Sequence, residues 1–105
     1  MTQPDRARAR FEAYVSGPPQ STANLKARVQ QAQGAADPAA QPLVRASTLL
    51  LDHIARKTTP LHVRLIHAAA LTVLDRVGEA GASVDGERAV LAYVVGRVRR
   101  PDITF

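Results

Sequence analysis

Chemistry near neutral pH needs groups that exchange a proton there, and this sequence offers three histidines, His53, His62 and His67. A bound metal would need several such ligands converging on one point. His62 and His67 stand five residues apart, which on an α-helix turns them about 140° away from each other, so the pair cannot share an ion. The chain contains no cysteine, and no carboxylate pattern completes a ligand set, so no metal site is expected. His53 and His67 fall at the edges of apolar faces, where a hydrogen-bonded packing role is the commoner one.

The acidic groups lead to the same place. Asp75 and Glu79 lie four apart and Asp85 and Glu87 lie close in sequence, but helix surfaces routinely carry such pairs. Asp52 and Arg56 have the spacing of a stabilising helical ion pair, and Asp85 with Glu87 suits the positive end of a helix. Ser21, Ser47 and Ser83 are placed for caps and solvated faces, with no elbow or oxyanion hole around them. The glycines of "VGEAGASVDGE" follow no strand and precede no phosphate-binding lysine, so that stretch reads as a connection between helices. Catalytic residues and cofactor-binding residues are therefore both expected to be none. Binding is the expected class of function, and enzymatic activity is not.

Any site must be held by the helices around it. The 105 residues, 46% hydrophobic, suffice for one modest core and hence one domain. "SGPPQS" stops a first short helix, with Phe11, Tyr14 and Val15 its large apolar residues. Ser21 is a plausible cap for a second, weak one, which has little beyond Leu25 and Val29 to bury. Asp37 and Pro38 suit the entry to the next helix. Residues 1–40 are thus expected to be weakly structured or short helices, and residues 42–100 to form the main core.

Three successive stretches carry helical periodicity. Leu43, Ser47, Leu50 and Ile54 mark one face of a helix from about Pro42 to Lys57. Thr59 and Pro60 open another that runs to about Ala80, with Val63, Ile66, Ala70, Val73, Leu74 and Val77 on one side and Leu61, Leu65 and Ala68 on the other. Two apolar sides place this helix at the centre. The last runs from Ser83 or Asp85 to about Arg99, with Val84, Leu91, Val94, Val95 and Val98 as its core face. Its valines also allow a strand from Ala89 to Val95, although the alternation is poor. The expected fold is an all-α, compact bundle of four or five helices ending in a helical hairpin.

The net charge of +5 and a pI near 10.7 raise nucleic acid as a partner. Arg6, Arg8 and Arg10 lie at one end and Arg97, Arg99 and Arg100 at the other, yet acidic residues are interspersed throughout. There is no helix-turn-helix and no aromatic interleaving for stacking bases. A small basic nucleic-acid-binding or regulatory protein is the second reading. No apolar run is long enough for a signal peptide or a membrane span, so the default expectation is a cytoplasmic protein.

"PLHVRLIHAAALTVLDRV" followed by "LAYVVGRVRRP" resembles the small helical immunity proteins that protect bacteria from their own type VI secretion NAD(P)+ glycohydrolase toxins. The similar features are the Leu61-His62 start, the apolar helix from Leu65 to Asp75, and the run Ala92-Tyr93-Val94-Val95-Gly96 leading into arginines. They cover about residues 60–101. The resemblance implies a bacterial protein without catalysis of its own, whose partner is a cognate toxin and which blocks the toxin's active site against NAD(P)+. Such an interface needs a few anchors ringed by complementary charge. Tyr93, Arg97 and Arg100 on the face of the last helix away from its valines are the candidate partner-binding residues, with Arg64 on the preceding helix. The alternative is that Tyr93 packs inside the bundle and the arginines are solvated helix ends.

Overall fold

The computed structural model describes the chain from residue 3 onward, and its side chains from residue 5. Among the described residues it contains five α-helices and no strand. Helix α1 spans Gln3–Ser16 and stops at Gly17, where Pro18 and Pro19 cannot continue it. Helix α2 spans Thr22–Ala35, opened by the Ser21 hydroxyl, which accepts a hydrogen bond from the Asn24 backbone N–H at 3.2 Å. The Thr59 hydroxyl opens α4, Pro60–Val77, in the same way through the His62 N–H.

Two helices end earlier than periodicity predicts. Helix α3, Gln41–His53, stops short of Lys57 because the Ile54, Ala55 and Arg56 amides turn back to carbonyls three residues earlier. The Thr58 hydroxyl then donates to the His53 and Arg56 carbonyls. Helix α5, Asp85–Arg97, ends where Arg99 adopts φ 58°, the left-handed conformation. The Arg100 N–H bonds the Val95 carbonyl and the Arg99 N–H that of Gly96, a closure in which glycine is the usual left-handed residue. The valine-rich stretch from Ala89 to Val95 is helical, as its phase indicates.

Helix α4 touches all four other helices. On one side of it lie α1 and α5, packed against each other, and on another lie α2 and α3, with α3 also reaching α5. Among the described residues α1 makes no contact with α2, the helix that follows it in the chain. The two apolar sides of α4 explain this arrangement: Leu65, Ile66, Ala68, Ala69, Ala70 and Val73 are all buried. The alanines leave room for neighbouring backbones to come close.

Residues before Gln41 are integral to that packing. Helices α1 and α2 are each 14 residues long, and Ala7, Phe11, Leu25, Val29 and Ala32 are buried between them and the rest. Leu25 and Val29 are 1% exposed, and full burial of such side chains contributes roughly 1.5–3 kcal/mol each.

Polar contacts then fix how the helices sit. Asp37 does not cap α3; its carboxylate takes both terminal nitrogens of Arg76 on α4 and the backbone N–H of Gly81. Gly81 has φ 89°, a conformation open to glycine at little cost. Tyr14 donates to Asp75 at 2.6 Å and Arg10 to Glu79 at 3.0 Å, tying α1 to the end of α4. Asp52 pairs with Lys26 at 2.8 Å rather than with Arg56, because the helix has already unwound before Arg56. No helix among the described residues is long and apolar enough to cross a membrane.

Candidate functional site: a groove between α1, α4 and α5

The face of α5 opposite its core valines meets α1, and the joint between them is incomplete. Phe11 on α1 and Tyr93 on α5 meet edge to face, with ring centroids 6.1 Å apart and an interplanar angle of 76°. Beside them Val15, Leu61, Leu65 and Val90 line an open groove of about 720 Å³. Leu61 is 49% exposed and Tyr93 48%, so two of the three large exposed apolar side chains of the described residues stand in the same groove. Single exposed apolar residues are ordinary, but a shared concave patch is the arrangement that binds.

Arg97 sits one turn after Tyr93. Its guanidinium carbon lies 5.7 Å from the centre of the Tyr93 ring, and its Nη1 donates to the tyrosine hydroxyl at 2.8 Å. Arginine has no acceptor, so the hydroxyl accepts and keeps its own proton to donate elsewhere. The pair is thereby held as one rigid unit at the rim. At the other rim Arg8 and Glu12 pair with each other at 3.1 Å.

The four sequence candidates separate. Tyr93 and Arg97 are together in the groove, whereas Arg100 lies beyond the end of α5 and is engaged within the chain. Its Nη2 is 2.8 Å from Asp102, holding that carboxyl down at about 2, and its Nη1 is 3.1 Å from His53 Nδ1. Arg64 is exposed on α4 and does not line the groove. Phe11, Val15, Leu61 and Leu65 complete the groove but were not among the candidates. The signal for two of them was present: Leu61 and Leu65 form the second apolar side of α4, which needs something to cover it.

The histidines are structural in setting. His67 is buried and meets the Thr22 hydroxyl at 2.7 Å, and loss of solvent pushes its pKa below the usual value. His53 is lowered first by burial and then by the positive charges of Arg100, Arg56 and His62. No three His, Cys, Asp or Glu residues among those described are placed to hold a metal ion. Glu87, buried at the start of α5, is raised by desolvation. No protein-family model matches the chain, and neither does any curated protein or solved structure.

Proposed function

We propose that this chain is a binding protein that neutralises a cognate bacterial toxin, docking through the groove between α1, α4 and α5. The observation that carries this reading is the groove, with Leu61 and Tyr93 exposed at its mouth and Arg97 locked against the tyrosine. An aromatic and an arginine fixed in one geometry lose little freedom on association, which is what an anchor requires. The narrower identification, an immunity protein for an NAD(P)+ glycohydrolase effector, rests on the resemblance of residues 60–101. The positive charge of the chain suits an acidic cleft on such a partner.

The test is co-expression with a toxin encoded beside this gene. The immunity protein restores growth and co-purifies with the toxin, and Tyr93→Ala with Leu61→Asp loses both effects while remaining folded. If the wild-type chain neither binds that toxin nor protects cells, the reading fails.

Nucleic-acid binding is the second reading, favoured by a basic cleft at the end of α5 that contains Lys57, Arg97 and Arg99. The arginines near the start of the chain give it little, since Arg6 and Arg10 lie against Glu79 and Arg8 against Glu12. Affinity for oligonucleotides that falls steeply with salt is its required signature.

A further inference from the structure

The connection between α3 and α4 faces the end of α5 across a second cleft, of about 560 Å³, on the far side of Arg97 from the apolar groove. Its charged and titratable lining is of one kind: Lys57, Arg97 and Arg99 with His53 and His62, and no carboxylate among its lining residues. We propose that this cleft binds a phosphoryl group carried by a small ligand. Three features of the chain support the assignment.

First, His53 is set as a donor. Arg100 can only donate, so the 3.1 Å contact makes His53 Nδ1 the acceptor and leaves the ring proton on Nε2. Asp102 in turn grips Arg100 through two bonds, at 2.9 and 2.8 Å, so the guanidinium that fixes the tautomer is itself fixed. Secondly, Arg99 occupies a left-handed position that disfavours a side chain, and its side chain lines the cleft. A glycine would close the helix more easily but would remove a cation. Thirdly, the remaining cations of the cleft have no acidic partner within it, and like charges so gathered attract an anion. The cleft is a compact pocket rather than a track, and the arginines of α1 are already paired, so one phosphoryl group fits it better than a polynucleotide backbone.

The experiment is a titration of the full chain with inorganic phosphate, and separately with adenosine monophosphate and with adenosine, at constant ionic strength set with chloride. The His53 and His62 ring protons are followed by NMR. The expected result is a saturable shift with phosphate or the monophosphate and none with adenosine; the tighter of the first two shows whether the source is the free ion or an ester. Arg99→Gly weakens binding about tenfold, the loss expected for one charge-assisted contact, although it relaxes the backbone and raises the thermal midpoint. Asp102→Asn weakens it too, by freeing Arg100. Shifts that follow total salt alone, or an Arg99→Gly variant that binds as wild type does, overturn the proposal. Tighter binding of an unphosphorylated-end oligonucleotide than of either small ligand also overturns it, in favour of nucleic acid.

Discussion

Arg76 and Asp37 face each other squarely, Nη1 and Nη2 of the arginine lying 3.0 and 2.9 Å from the two carboxylate oxygens. Arg76 is 1% exposed, and its Nε has no partner of its own. The pair therefore matters less for what it adds than for what its loss would leave behind, a buried cation without a counter-charge. The guanidinium holds the Asp37 carboxyl below its ordinary range, helped by the Gly81 N–H.

Asp37→Ala lowers the midpoint of thermal unfolding by at least about 10 °C. Replacing both partners, Asp37→Ala with Arg76→Met, recovers much of that loss because no charge remains to be buried. Circular dichroism melts of the three proteins check this. A double variant no better than the single one shows that the pair positions the helices by more than charge balance.

His67 makes stability depend on pH in the mildly acidic range. Its folded pKa is depressed, so below about 6.5, the ordinary histidine value, the unfolded chain takes up a proton that the folded chain refuses. Its contribution is present above that value and is lost as pH falls through the folded pKa. Glu87, with its pKa raised, acts with the opposite sign above the ordinary glutamate value. The diagnostic quantity is thus a difference between variants: His67→Gln flattens the fall in urea midpoint between pH 7.5 and 5.5, all else being common. An unchanged slope excludes His67 as its source.

The groove separates anchoring from folding. Tyr93→Ala costs at most about 1–2 kcal/mol of stability, because half of the ring is already solvated and only its edge contact with Phe11 is lost. Phe11→Ala, from a buried site, costs about 3–5 kcal/mol. Chemical denaturation of both checks the contrast. Equal losses place Tyr93 in the core rather than at a binding surface.

Arg99→Gly stabilises the chain by about 1 kcal/mol, the relief of a left-handed backbone with a side chain attached. The same denaturation curves read it out. A destabilised variant shows that the Arg99 side chain makes compensating contacts at the end of α5.

How much of this was legible in the sequence follows from the range of each interaction. Caps and periodicity are local, so Ser21, Thr59 and the phases of α4 and α5 are visible in a few neighbouring residues. Helices α1 and α2 looked weak for the opposite reason. They bury alanines as well as the few large residues, and Ala7 or Ala32 signals burial only when another helix is known to lie against it. Asp37 has the pattern of a cap and a different occupation, because its partner is 39 residues away. Arg100 likewise stood at the right interval for a binding face, and its capture by Asp102 and His53 depends on the turn after α5. The apolar side of α4 announced that something covers it, but only the fold shows that α1 and α5 cover it incompletely.

Because α4 is in contact with every other helix, the molecule has no seam along which half of it can open while the rest stands. Amide protons in the middle of α4 should exchange only through global unfolding, and at the same free energy as the slowest protons of the helices on either side. A single cooperative transition is the corollary, with no folded fragment left by removing α1.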